Sequence, residues 1–123
     1  MNIEMKILIV VLILSFVTAC TFASGKKKEI VVDQNTTLLD VRTAGEFKGG
    51  HLDGAINISH DEIKAKIAAA VPDKNRKIIV YCRSGRRSGI ARAILQALGY
   101  KTVTNAGAYK SLTVTKKTSE EQK

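Results

Sequence analysis

Proline is nearly absent from this chain of 123 residues, Pro72 being the single example, and tryptophan is missing altogether. Polyproline and collagen-like architectures are excluded on that ground. Two cysteines allow at most one disulfide, so neither a disulfide-stapled scaffold nor a Cys-rich zinc module fits. Aromatic residues make up only 5%, too few for the stacking series that single-stranded nucleic acids require, and no recognition module is present; a nucleic-acid partner is not expected. Acidic residues are outnumbered, 11 against 20 Lys and Arg, for a formal net charge of +9. That excess favours anionic small molecules and an anionic membrane surface. There is no internal repeat, hence no solenoid or propeller, and the length holds one domain. No apolar run approaches the ~20 residues of a spanning helix.

The longest apolar run, Ile7 to Val17, covers about 11 residues after Lys6, the size of a secretory signal core. Glu4 weakens the basic start, which a beginning at Met5 rather than Met1 would restore. Val17-Thr18-Ala19-Cys20 resembles the lipobox of bacterial lipoproteins, in which the cysteine becomes the lipidated first residue. The expectation is a signal peptide over 1–19, lipidation of Cys20, a basic linker over 20–28 containing Lys26-Lys27-Lys28, and a location in the cell envelope, periplasmic and membrane-anchored. The alternative is cleavage near Phe22-Ala23-Ser24, which would discard Cys20.

From Glu29 onward short β-branched runs alternate with helical stretches, the pattern of an α/β domain with a mainly parallel sheet flanked by helices. Strands are predicted at Ile30–Val32, Leu38–Val41, Ala55–Ile58, Lys77–Tyr81 and Thr102–Thr104. Ser59 and Glu62 suggest a capping box for a helix with Ile63, Ile67 and Val71 on one face, stopping at Pro72. A second helix, Ser88–Leu98, places Ile90, Ile94, Leu95 and Leu98 on one face, with Gly99 just past its end. The domain is expected over 29–112. Residues 113–123, rich in Thr, Lys and Glu, read as a disordered tail.

Chemistry concentrates at Cys82-Arg83-Ser84-Gly85-Arg86-Arg87-Ser88, between a buried strand and an amphipathic helix. In open α/β sheets the ligand site lies at the carboxyl ends of the strands, and a helix N-terminus adds unpaired N–H groups. Three arginines and the dipole should favour a Cys82 thiolate, a reactive nucleophile. Core cysteines act as small apolar residues, but so much charge beside one argues against that reading here. Gly85 lets the loop curl its amides inward around an anion.

This loop resembles that of the rhodanese family of sulfurtransferases, where a Cys-to-Arg loop runs into a helix. Leu38-Leu39-Asp40-Val41-Arg42, Glu46-Phe47 and Gly50-His51-Leu52-Asp53-Gly54-Ala55-Ile56-Asn57-Ile58 are similar to the family's upstream motif. Gly99-Tyr100 and Asn105-Ala106-Gly107-Ala108-Tyr109 are similar to its closing segment, although Gly107-Ala108 stands where many relatives carry two glycines, and no Trp follows.

The resemblance spans residues 29 to 112 and implies a single-domain thiosulfate sulfurtransferase. Cys82 would attack the outer sulfur of an anionic donor such as thiosulfate, hold it as a covalent persulfide, and pass it to a thiophilic acceptor, cyanide or a thiol. The loop from Arg83 to Ser88 would bind substrate through its amides, without metal or other cofactor, with Arg83 and Arg86 attracting the donor and Arg87 closing the loop. Asp40, Arg42, Glu46 and His51 read as architectural, the first three as one buried hydrogen-bonded set. No second cysteine lies in the domain to resolve a disulfide.

Three alternatives carry less weight. A persulfide carrier serving a protein partner shares every motif, and a rhodanese-like binding module usually lacks the Cys. A phosphatase of the dual-specificity type has a loop one residue longer. Here four residues separate Cys82 from Arg87, a ring better sized for sulfur than for a tetrahedral phosphate.

Overall fold

Ile78 to Cys82 are buried without interruption, as befits a strand covered on both faces of a parallel sheet. They belong to β4 (Lys77–Cys82) in a computed structural model that describes residues 25–118. The expected signal peptide, the lipobox Cys20 and the last five residues lie outside the described part. Before β4 come β1 (Lys28–Val32), β2 (Thr36–Asp40), α1 (Ala44–Lys48), β3 (Ile56–Asn57) and α2 (Ile63–Ala70). After it come α3 (Arg86–Ala97), β5 (Val103–Ala108), a 3₁₀ turn (Tyr109–Ser111) and β6 (Leu112–Lys116).

Four strands form a parallel sheet in the order β3-β2-β4-β5, and β1 pairs with β6, also in parallel, as a separate ladder. The α/β class read from the sequence is the class observed. Alternation along β4 divides the interior in two. Ile78, Val80 and Cys82 face one core with Ile63, Ile67 and Val71 of the α2 region and with Ala91 and Leu95 of α3. Ile79 and Tyr81 face the other, against Ile30, Leu112 and partly buried Val114 of the β1–β6 ladder. Both long helices therefore cover one face and the small ladder the other.

The tail beginning at 113 is corrected, since residues 113–116 belong to β6, in register with β1 from Lys28↔Leu112 to Val32↔Lys116. Leu112 and Val114 point inward while Thr113 and Thr115 stay exposed, a half-buried alternation of β-branched residues whose partner strand lies at the far end of the domain. The Ser59–Glu62 capping box is also corrected. Ser59 Oγ bonds Asp61 instead, at 2.6 Å, and α2 has no side-chain cap. The capping box present belongs to α1, a helix not predicted, where Thr43 and Glu46 satisfy each other's backbone amides.

On α3 the buried stripe is Ser88, Ala91 and Leu95, with Ile94 and Leu98 packed beside it, and Ile90 is 41% exposed. The helix begins two residues earlier than expected, at Arg86, and its orientation turns Ile90 to the far side. Both helix ends that lead back to the sheet read correctly. Gly99 takes φ +95° beyond α3, and the Val71 carbonyl before Pro72 accepts the Tyr100 hydroxyl.

Candidate active site

Cys82 ends β4 and its side chain is buried. The chain then turns through Arg83-Ser84-Gly85 into α3, and the turn wraps the sulfur. Gly85 N–H donates to Cys82 Sγ at 2.9 Å, and the amides of Ser84 and Ser88 face it as well. Gly85 is favoured by its φ of +96°, while an added Cβ would meet the Gly107 Cα of β5 only at ordinary contact distance, 3.4 Å.

Burial pushes the Cys82 thiol up, but the Ser88 hydroxyl and the amides of Ser88, Ser84 and Gly85 outweigh it, and its pKa falls below the ordinary thiol value. The thiolate expected from the sequence is thus favoured, though not chiefly by the arginines. Arg83 and Arg86 are exposed, where solvent screens them, and Arg87 is occupied elsewhere.

Arg87 makes a two-pronged ion pair with Glu46 of α1, Nη1 to Oε1 at 2.7 Å and Nη2 to Oε2 at 3.0 Å. The expected Asp40-Arg42-Glu46 set is corrected accordingly. Asp40 and Arg42 pair with each other, Glu46 with Arg87, so α1 is tied to the first turn of α3 and hence to the sulfur loop. Arg87 holds the Glu46 carboxyl down to about 2.

Asp40 receives the Arg42 backbone N–H at 2.9 Å and its guanidinium at 2.7 to 3.1 Å, all buried. Arg42 Nη2 also donates to the Gly50 carbonyl at 2.7 Å, and its guanidinium stacks 4.3 Å from the Tyr109 ring. The pair is buried and bridges the end of β2 to the turn after α1. His51 is exposed, stacks on Phe47 at 3.6 Å and places Nδ1 2.9 Å from the Phe47 carbonyl. It lends shape to the turn after α1.

Beside the loop runs a groove of about 300 Å³ lined by Arg42, Glu46, Gly50, Arg83, Tyr109 and Lys110 among others. Arg83 and Lys110 have no acidic partner among the described residues. Arg86, paired with Arg83 in the sequence reading, is not on its wall. Tyr109 forms a wall where a tryptophan is missing. The position where relatives carry a second glycine takes Ala108 without strain, since its φ is −89° while Gly107 holds φ +94°.

Lys110 and Asn105 escaped the reading of the sequence as site residues. Asn105 pairs with Val80 and so faces the sulfur side of the sheet, as Val103 does opposite Ile78, and the bulge that follows sets Tyr81 opposite Gly107. The strand predicted at Thr102–Thr104 stops one residue short of Asn105 and leaves its face unread, whereas β5 runs on to Ala108.

A buried cysteine thus ends a strand at the mouth of a helix, ringed by backbone amides. A model of the rhodanese-like domain matches residues 25–111. The chain belongs to the rhodanese family. Thiosulfate sulfurtransferase PspE of Escherichia coli is 47% identical over 78 residues, covering 63% of this chain and 75% of that protein. A solved rhodanese with anions from E. coli superposes with TM-score 0.62 at 45% identity, covering 65% of this chain and 94% of its own. A thiosulfate:glutathione sulfurtransferase of Saccharomyces cerevisiae is 31% identical over 83 residues, covering 58% of this chain and 60% of that protein. Sulfur transfer by a rhodanese domain is the activity these relatives support for this chain.

Proposed function

We propose that the protein is a thiosulfate sulfurtransferase whose Cys82 carries the sulfur as a persulfide. The observation that carries this reading is the Gly85 N–H directed at Cys82 Sγ, with the Ser84 and Ser88 amides beside it. Such donors stabilise negative charge on the thiolate and on the persulfide that replaces it. In the first step the Cys82 thiolate attacks the outer sulfur of thiosulfate. A sulfur–sulfur bond forms to Cys82, the bond to the sulfonate sulfur breaks, and sulfite leaves with that electron pair. In the second step cyanide or a thiolate attacks the terminal sulfur, leaving as thiocyanate or as a new persulfide while the Cys82 thiolate is regenerated.

Because the thiol is buried, the donor must present something slender to the floor of the loop, which the single outer sulfur of thiosulfate does. Thiosulfate is a dianion, and Arg83 with Lys110 supplies unpaired positive charge in the neighbouring groove for its sulfonate oxygens. The cationic groove also suits an acceptor thiol that bears carboxylates. No other cysteine lies among residues 25–118, so sulfur leaves the persulfide by intermolecular attack.

The test is mass spectrometry of the intact protein after incubation with thiosulfate. Cys82 is expected to gain one sulfur atom, with release of sulfite, and the added sulfur to be lost on treatment with cyanide or a small thiol. An unmodified Cys82 after prolonged incubation of the reduced protein would overturn the reading.

A further inference from the structure

Ser88 is buried and has a single hydroxyl proton, yet three acceptors surround its Oγ. Asn105 Oδ1 lies at 2.7 Å, the Gly85 carbonyl at 3.0 Å and Cys82 Sγ at 3.4 Å. The Asn105 amide orientation is dictated by backbone groups on both sides. Its Oδ1 accepts Gly107 N–H at 3.0 Å and its Nδ2 donates to the Gly85 carbonyl at 3.1 Å. Gly85 O is therefore already supplied, and the shortest contact from Ser88 is to an oxygen that can only accept.

With a neutral thiol, the best arrangement sends the Ser88 proton to Asn105 and leaves an Oγ lone pair to receive the Cys82 S–H. An anionic sulfur has no proton to give and is the stronger acceptor, because a hydrogen bond to a charged group is roughly twice as strong as a neutral one. The Ser88 hydroxyl must then turn round.

We propose that Asn105 is a positioning residue for the sulfur chemistry, acting through Ser88: it holds the hydroxyl proton away from a neutral Cys82 and yields it when the sulfur becomes negative. The hydroxyl is acceptor to the thiol and donor to the thiolate or persulfide; the S–H bond breaks with its proton passing to solvent, the electron pair staying on sulfur, and all else that changes is hydrogen bonding. This role rests on the sulfur-transfer reading above and names a partner that reading did not use.

The charged groups around the sulfur would remain in place when Asn105 is altered. The helix α3 contributes Arg87, bound to Glu46 of α1, and the exposed Arg86, and the loop contributes the exposed Arg83. Strand β5 contributes no titratable side chain, and Asp40, bound to Arg42, lies beside Tyr81 towards the opposite face.

The experiment is the rate of Cys82 alkylation by iodoacetamide as a function of pH in four proteins: wild type, Asn105→Asp, Ser88→Ala and the double variant. A carboxylate at 105 grips the Ser88 proton harder. Asn105→Asp is expected to raise the apparent thiol pKa by about one unit, slowing alkylation about tenfold at neutral pH. With Ser88→Ala the same change at 105 is expected to alter the rate less than about threefold, because the route is gone.

An equal shift in both backgrounds would overturn the proposal by showing that Asn105 acts through its charge or as a brace. No shift in either would do the same. If Asn105→Asp fails to fold, Asn105→Leu is read by the same criterion, its effect on alkylation rate surviving only with Ser88 present. Alkylation needs no sulfur donor, so this outcome is separate from whether thiosulfate loads Cys82.

Discussion

Replacing Cys82 by Ala removes one buried atom and the whole of the proposed chemistry. Sulfur transfer from thiosulfate is expected to fall to background, while the protein melts within a few degrees of wild type, because the cost of so small a cavity is about 1 kcal/mol. Transfer near the wild-type rate would remove Cys82 from the mechanism. Arg42 offers the opposite contrast, with no part in the chemistry and a large part in the fold. Its guanidinium answers the fully buried carboxylate of Asp40 and bridges to Gly50. Arg42→Ala strands that carboxylate, and a loss of roughly 3–5 kcal/mol is expected in urea unfolding. Both residues stand in motifs visible in the sequence, and the structure adds what each touches, amides around Cys82 and a buried carboxylate against Arg42.

At the scale of elements, the sulfur loop is kept in place by what abuts it. The Arg87–Glu46 pair fastens α3 to α1, and Asn105 fastens the loop carbonyl of Gly85 to β5. The first of these ties depends on pH. Arg87 lowers Glu46 from an ordinary 4.5 to about 2, so the unfolded chain takes up the proton first as acid is added. The pair's contribution is therefore complete above about pH 4.5 and disappears as pH falls through about 2. Glu46→Gln is expected to destabilise by about 1 kcal/mol at neutral pH, the groups being partly exposed, and the gap from wild type should close across that acid window. A gap that stays constant down to pH 2 in denaturant titrations would mean that the pair contributes nothing through charge.

For the molecule as a whole, charge and location each carry a prediction. Arg83, from the loop after β4, and Lys110, from the turn after β5, meet at one groove, so Arg83→Ala and Lys110→Ala are each expected to raise KM for thiosulfate several-fold with less change in kcat. Arg86→Ala, off that wall, should do less, and equal effects from all three would make the attraction one of net charge alone. The run Lys6 to Cys20 motivates a lipid anchor, so Cys20→Ser is expected to abolish lipid labelling and move the protein from the membrane fraction to the soluble one. A wild-type protein that fractionates as soluble, with its N-terminus near Ser24, would exclude the anchor. The amino-acid order by itself determined the α/β class, the helix stops at Pro72 and Gly99, and the reactive loop from Cys82 to Ser88, because strand, turn and helix start are consecutive there and their signals are local. Tertiary structure alone decided that Glu46 meets Arg87 across 41 positions, that Asn105 reaches Ser88 across 17, and that a Thr- and Lys-rich segment becomes β6 by pairing with β1. Each of these contacts joins segments far apart in the chain and depends on how the elements are arranged, which local propensity does not encode, since the partner of a polar side chain is whatever the fold brings beside it.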